Sequence, residues 1–175
     1  METIKNKQKI SIIGPSGSGK STLAKALGEI LDLPVHHIDC LYHLPNGGTD
    51  DERQYIDKIA KITSQEKWII DGTYSRTLGN RFLQSDLIIF LDFSQEFCVQ
   101  SVTKRQFGSS RVGLPEYYVA TEQGLERLVS HHIPRFQEMV KNHIAPLVNQ
   151  YKDKVLIFKT REEVDEFIGS LKGGN

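Results

Sequence analysis

Eight residues near the beginning of the chain have the types and spacing of a phosphate-binding loop. Residues 14–21 read Gly-Pro-Ser-Gly-Ser-Gly-Lys-Ser, the complete G-x-x-x-x-G-K-[ST] pattern. Glycines let successive backbone N–H groups face one point without a Cβ clash, and a following helix adds unpaired N–H groups and a positive dipole end. We expect triphosphate binding by these residues and their neighbour: Gly14, Pro15, Ser16, Gly17, Ser18, Gly19, Lys20, Ser21 and Thr22.

Two side chains of this loop predict a class of chemistry as well as a ligand. Lys20 places a mobile cation near the β- and γ-phosphates, and the Ser21 hydroxyl is a candidate Mg²⁺ ligand. The flanks agree, because residues 9–13 are a β-branched run typical of a buried strand and residues 22–31 have apolar side chains at helical spacing. The expected cofactors are therefore ATP and Mg²⁺, with Lys20 as a catalytic residue.

Aspartates follow three further apolar runs, each of which predicts a strand ending at its acid: Asp39, Asp71 and Asp92. Ligands of a doubly wound sheet lie beyond the carboxyl ends of its strands, so these acids are expected to share a crevice with the phosphate loop. Mg²⁺ uses few protein carboxylates, which makes Asp71 and Asp92 candidate metal ligands beside Ser21 and leaves open which one binds. The run before Asp92 also fits the Walker B pattern. Each acid, taken alone, could equally cap a helix.

A second group of residues is expected to bind the phosphate acceptor. Its members come from the ends of the second and third strands and the segment that follows: Asp39, Asp71, Gly72 and Arg76. Within it, Asp39 is the candidate base that accepts the proton of an acceptor hydroxyl during phosphoryl transfer.

Arginines flank a stretch rich in glycine and serine after the fourth strand. Arg105 and Arg111 are the expected catalytic arginines there, because phosphoryl transfer spreads negative charge over oxygens that arginine can stabilise. Arg127 and Arg135 are second choices. Any one of these arginines could instead be an ordinary solvated surface charge.

The elements that would position these residues alternate between short apolar runs and longer amphipathic stretches. Five runs predict strands, at residues 9–13, 33–38, 68–70, 87–91 and 155–158. Helical patterns separate them: one covers residues 51–63, Ser94 can cap another, and residues 160–163 form a capping box for the last. Near-continuous apolar strands separated by helices predict an α/β fold with a five-stranded parallel sheet covered by helices on both faces.

The length of 175 residues predicts one domain, with a helical and loop lid inserted at about residues 105–135. Residues 107–122 depart from the rhythm of strands and helices, since they combine glycines, serines and a proline with a pair of tyrosines. Loops longer than about 12–15 residues are usually functional or disordered, which favours a closing lid here.

Charge and hydropathy restrict the partners. The formal net charge is zero, whereas a nonspecific nucleic-acid binder carries a basic excess, so a nucleic-acid partner is not favoured. The chain has no apolar run of about 18 residues, no apolar leader, and two cysteines without a C-x-x-C spacing. These features predict a cytoplasmic protein that acts on a small molecule without a membrane, and they leave the oligomeric state open.

Four segments of the chain resemble the bacterial DNA topology modulation proteins, a branch of the adenylate-kinase-like P-loop kinases. They are residues 12–22 (Ile-Ile-Gly-Pro-Ser-Gly-Ser-Gly-Lys-Ser-Thr), 37–42 (His-Ile-Asp-Cys-Leu-Tyr), 68–74 (Trp-Ile-Ile-Asp-Gly-Thr-Tyr) and 88–92 (Ile-Ile-Phe-Leu-Asp). The resemblance covers about the first 110 residues and implies a P-loop NTPase fold, ATP binding and a lid before the last strand. It also relates Asp71, Gly72 and Arg76 to the Asp-Gly-x-Pro-Arg segment of nucleotide kinases, although Ser75 stands where proline would precede the arginine.

These observations predict a kinase-like protein that transfers the γ-phosphate of ATP to a nucleotide or another small molecule. Two alternatives remain at this point. One is an ATP-dependent regulator associated with DNA topology, and the other is a nucleotide-binding module with slow ATPase activity.

Overall fold

A computed structural model describes residues 2–42, 51–104 and 121–173. Its centre is a five-stranded sheet in the order β2-β3-β1-β4-β5. The strands are β1 Lys9–Ile13, β2 Val35–His37, β3 Trp68–Asp71, β4 Leu87–Leu91 and β5 Val155–Phe158. Each neighbouring pair is parallel, which confirms the fold class predicted from the apolar runs.

Helices connect these strands and cover both faces of the sheet. In chain order they are α1 Glu2–Lys5, α2 Lys20–Leu31, α3 Ile38–Tyr42, α4 Glu52–Thr63, α5 Ser75–Gln84, α6 Gln95–Thr103, α7 Glu122–Arg127, α8 Ile133–Met139, α9 Ala145–Gln150 and α10 Arg161–Lys172. The predicted caps are present: the Ser94 hydroxyl accepts from the Phe97 N–H at 3.2 Å, and Thr160 with Glu163 forms the capping box.

The helices α7, α8 and α9 join end to end through two π-helical turns, Leu128–His132 and Val140–Ile144. A proline follows each π turn, Pro134 in one case and Pro146 in the other. Proline has no N–H to donate to the preceding turn, and the wider π turn accommodates it without ending the helix. Within the described part of the chain, no helix is long and apolar enough to cross a membrane. Of the expected lid, residues 122–135 belong to this long helix and residues 105–120 lie outside the described residues.

The register of the strands assigns side chains to the two faces. Asp71 lies opposite Ile12 on one side and His37 on the other, so these three side chains share a face. That face packs against α2, α6, α7 and α10, with Leu27 and Ile89 in its core. The opposite face packs against α4, α5, α8 and α9 in two further apolar clusters.

The second strand is shorter than the sequence pattern predicted, and Asp39 does not end it. Strand β2 stops at His37, and Asp39 lies in the first turn of α3. The chain leaves the sheet at Ile38, whose side chain is only 1% exposed. A carboxylate in the first turn of a helix also interacts favourably with the helix dipole.

Candidate active site

Glycine is required at several positions of the phosphate loop, which links β1 to α2. Gly17 and Gly19 have φ angles of 90° and 87°, in the left-handed region that side chains disfavour. A Cβ on Gly17 would also lie 2.5 Å from the carbonyl oxygen of Cys98 in α6. The loop therefore keeps its turn only with glycine at this position.

The carbonyl of Pro15 organises the interior of the loop. It accepts hydrogen bonds from the Ser18 N–H at 3.3 Å, from the Ser18 hydroxyl at 2.9 Å and from the Lys20 ammonium at 2.8 Å. Lys20 is thereby held across the turn, at the edge of a cavity. The N–H groups of the first turn of α2, which includes Ser21 and Thr22, have no partner within the helix and are available to an anion.

The loop is tied to the end of strand β3 by one hydroxyl. Thr73 Oγ1 accepts from the Gly14 N–H at 3.0 Å and donates to the Gly14 carbonyl at 2.9 Å. Because this side chain binds both the N–H and the carbonyl of Gly14, it connects the beginning of the phosphate loop to the residues that follow β3.

A buried hydrogen-bonded chain joins the loop to the sheet. The Ser21 hydroxyl donates to Asp71 Oδ2 at 2.8 Å, and Asp71 Oδ1 is hydrogen-bonded to His37 Nδ1. Asp71 is 4% exposed and His37 11% exposed. The sequence left open whether Asp71 or Asp92 lies beside Ser21, and the structure shows Asp71 in contact with it. No role was predicted for His37, because its contact with Asp71 depends on β2 lying next to β3.

Asp92, the other predicted metal ligand, occupies a different position. It follows β4, and its backbone N–H donates to the Phe158 carbonyl at 2.8 Å, which continues the pairing of β4 with β5. Among the residues that the structure describes, no group of three or more His, Cys, Asp or Glu side chains could hold a metal ion by itself. Metal binding by Asp92 stays a prediction, whereas Asp71 is the acid in contact with Ser21.

A cavity of about 630 Å³ opens beside the phosphate loop. The loop lines it with Gly14, Ser16 and Lys20, and the residues after β3 line it with Gly72, Thr73 and Tyr74. The region of α3 and α4 contributes Ile38, Asp39, Tyr42 and Tyr55, and the long helix contributes Leu128, His131, His132, Arg135, Phe136 and Met139. The cavity thus brings a predicted phosphate-donor site together with the exposed carboxylate of Asp39.

Three tyrosines form the aromatic wall of this cavity. The rings of Tyr42 and Tyr55 meet edge to face with centroids 5.3 Å apart, and those of Tyr55 and Tyr74 do so at 4.9 Å. Burial raises the pKa of Tyr55, and the negative charge of Asp39 raises it further. Tyr55 is therefore a neutral hydroxyl near Asp39 at physiological pH. Their spacing in the sequence, at residues 42, 55 and 74, gives no indication that they form a common wall.

Arg76, a predicted acceptor-binding residue, is held away from the cavity. Its guanidinium pairs with Glu52, and its side chain is 64% exposed. Tyr74 donates its hydroxyl to the same carboxylate, and this hydrogen bond is the main reason that the pKa of Tyr74 is raised. Arg135, only a second choice from the sequence, lines the cavity, and it is the one arginine that does so among the described residues. Arg105 and Arg111 lie outside the described residues.

Arg81 holds the backbone at the end of β3 in place. Its side chain is fully buried, and its guanidinium donates to the carbonyls of Gly72 at 2.8 Å and Ile70 at 3.2 Å. Burial lowers its pKa to about 10. These bonds fix the backbone at the end of β3, so Arg81 orients the strand end that carries Asp71.

The fold and parts of the sequence are similar to known proteins. A family model described as ABC transporter matches residues 2–123, the span that includes the phosphate loop and strands β1 to β4. No curated protein matches the chain.

Among solved structures, the shikimate kinase from Acinetobacter baumannii in complex with shikimate has a TM-score of 0.56 at 15% identity. The match covers 99% of this chain and 98% of that chain. The shikimate kinase from Bacteroides thetaiotaomicron has a TM-score of 0.57 at 16% identity, covering 95% of this chain and 96% of its own. These two likenesses confirm the P-loop NTPase fold.

Proposed function

We propose that this chain, which belongs to the ABC transporter family of P-loop NTPases, is an ATP-dependent phosphotransferase for a small acceptor that carries a hydroxyl group. The observation that carries the proposal is that Lys20 of the phosphate loop and the carboxylate of Asp39 line one cavity. The family match supports nucleotide binding, and the second half of the cavity supports an acceptor beside the nucleotide.

Ser21 and Asp71 would hold Mg²⁺, since a hydroxyl and a carboxylate 2.8 Å apart are oxygen ligands of the kind that this ion accepts in small number. When bound, Mg²⁺ supplies neutralisation of the charge on the β- and γ-phosphate oxygens. The N–H groups of the loop and of the first turn of α2 bind the same oxygens, and Lys20 adds a positive charge.

Asp39 is the proposed base. As the acceptor oxygen forms a bond to the γ-phosphorus, the bond from that phosphorus to the leaving oxygen of ADP breaks, and the hydroxyl proton passes to Asp39. Arg135 supplies a cation for an anionic acceptor or for the transferring phosphate. Closure of residues 105–135 would exclude water and bring Arg105 and Arg111 to the same phosphate.

The acceptor is identified by measuring ADP formation with a panel of compounds. The panel contains nucleoside monophosphates, sugars, polyols and hydroxylated carboxylic acids, the last because one structural neighbour was solved with shikimate. Duplex DNA is included separately. We expect stimulation by a small molecule and its phosphorylated form by mass spectrometry. Stimulation by DNA alone would instead favour the topology-associated regulator, and slow hydrolysis without stimulation would favour the nucleotide-binding module.

Lys20→Ala tests the placement of the phosphates. Loss of the cation is expected to reduce turnover about 10²–10³-fold and to weaken ATP binding, because the charge then has no replacement at the γ-phosphate. The matched control is Lys25→Ala, which removes an exposed lysine on the same helix that pairs with Glu29. Isothermal titration and steady-state kinetics measure both quantities. Full activity of Lys20→Ala would show that the triphosphate lies elsewhere.

A further inference from the structure

Strand β2, at the edge of the sheet beside β3, places His37 next to Asp71, the predicted metal ligand. In the pairing of β2 with β3, His37 stands opposite Asp71 and His36 stands opposite Ile70. Neighbouring residues across a sheet share a face and successive residues alternate, so His37 points to the face covered by α2 and His36 points away from it. Ser21 lies in the first turn of α2. The topology therefore places His37 and Ser21 on two sides of one carboxylate.

Each oxygen of that carboxylate has its own hydrogen-bond partner. Oδ2 accepts from Ser21 and Oδ1 pairs with Nδ1 of His37. An ionised carboxylate can only accept, so Nδ1 of His37 carries the hydrogen that Asp71 receives. Rotation of the carboxylate would break both bonds at once, and Asp71, at 4% exposure, has little water to replace them.

We propose that His37 is a positioning residue that holds the Asp71 carboxylate in the orientation needed to bind the metal ion of the nucleotide complex. The inference rests on the proposed function only in that Ser21 and Asp71 hold Mg²⁺. His37 acts through Asp71, to whose Oδ1 its Nδ1 is hydrogen-bonded. Residues that orient metal ligands typically contribute about 10–100-fold in metal affinity.

The test compares His37→Leu, which removes the donor, with His37→Asn, whose amide nitrogen can occupy the place of Nδ1. His36→Leu is the matched control, because His36 is the adjacent residue of the same strand and faces the other side of the sheet. Mn²⁺, used as a paramagnetic probe for Mg²⁺, is titrated into each protein with a non-hydrolysable ATP analogue. The affinity for the analogue without metal is measured in parallel, and circular dichroism confirms that each variant is folded.

We expect His37→Leu to weaken Mn²⁺ binding about 10-fold or more while the metal-free affinity for the analogue is unchanged. His37→Asn should restore most of the loss, and His36→Leu should bind metal like the wild type. Wild-type metal affinity in His37→Leu, an equal loss in His36→Leu, or no recovery in His37→Asn would each overturn the proposal. So would a wild-type protein in which the metal adds nothing to nucleotide binding.

These measurements need no phosphate acceptor, so the inference and the proposed function can fail separately. A wild type that phosphorylates no compound of the panel, yet loses metal affinity on His37→Leu, would refute the phosphotransferase and leave the role of His37 intact. Transfer to an acceptor with unchanged metal binding in His37→Leu would do the reverse.

Discussion

Two carboxylates near the phosphate loop have opposite environments, and this difference divides their roles. Asp71 is buried and holds two hydrogen bonds, which suits a fixed metal ligand. Asp39 is exposed in the first turn of α3 and lines the cavity, where an incoming hydroxyl can reach it. Pairs of acids in different surroundings are a common way for one site to combine an electrostatic role with proton transfer.

Asp39→Asn should lower turnover more than it lowers the affinity for ATP. The amide cannot accept the hydroxyl proton, and loss of a general base typically reduces kcat about 10²–10⁴-fold. ATP binding depends on the loop and should change less than about twofold. Steady-state kinetics and nucleotide titration separate the two effects, with Asp57→Asn as a control at an exposed acid of α4. Equal losses in turnover and ATP affinity would remove the role of Asp39 as base.

At the scale of elements, the end of β3 carries most of the site. Asp71 contacts the loop serine, Thr73 holds Gly14, and Gly72 between them approaches Ile38 closely. Gly72 has a φ of 122°, and a Cβ there would lie 2.2 Å from Ile38 Cγ1. Three successive residues thus join the predicted metal ligand, the phosphate loop and the lining of the cavity.

Gly72→Ala should destabilise the protein by about 2–4 kcal/mol, because the added methyl combines a disfavoured backbone angle with a clash against a buried side chain. Gly79→Ala is the matched control, because this glycine lies in α5, where an added methyl would meet no neighbouring element within 4 Å. In a helix, alanine is expected to raise stability by about 0.5–1 kcal/mol. Urea denaturation followed by circular dichroism measures both changes. A Gly72→Ala variant as stable as the wild type would contradict the tight packing at Ile38.

The parts of this site that the sequence predicted are those that depend on local patterns. The phosphate loop and the strands at residues 87–91 and 155–158 follow from short stretches of sequence, whereas the contact between Ser21 and Asp71 joins residues 50 positions apart. The contact between His37 and Asp71 depends on the order of strands, which apolar runs do not specify. The position of Arg135 at the cavity depends on the π turn just before α8, because its extra residue rotates all that follows.

For the whole molecule, the response of stability to pH is set by groups whose pKa differs between the folded and the unfolded state. His36 is one such group, because burial and then the charge of His37 lower its pKa. The folded state therefore prefers neutral His36, whereas the unfolded chain binds a proton near the ordinary pKa of about 6.5. The contribution of His36 to the free energy of unfolding is therefore complete above that pH. It is lost as the pH falls from there toward the folded-state pKa.

His36→Gln should reduce the loss of stability between about pH 7.5 and pH 5.5, since glutamine takes up no proton in the unfolded chain. The urea midpoint at both pH values is the measurement. His143→Gln serves as the control, because it makes the same substitution at an exposed histidine of the long helix. A wild-type profile in His36→Gln would exclude this histidine as the source of acid sensitivity.

The central position of β1 has a consequence for how the protein is assembled. Its two neighbours are distant in the chain, since Lys9 pairs with Trp68 and Ile10 pairs with Leu87. Sheets built from such remote pairings fold slowly, because a long segment must close before any contact is gained.

During synthesis, the phosphate loop can meet Asp71 only after β3 has emerged from the ribosome. A nucleotide that binds only the assembled site, at about 100 times its dissociation constant, adds about 2.7 kcal/mol to the folded state. A bound nucleotide would then stabilise the folded chain whether or not its phosphate is transferred.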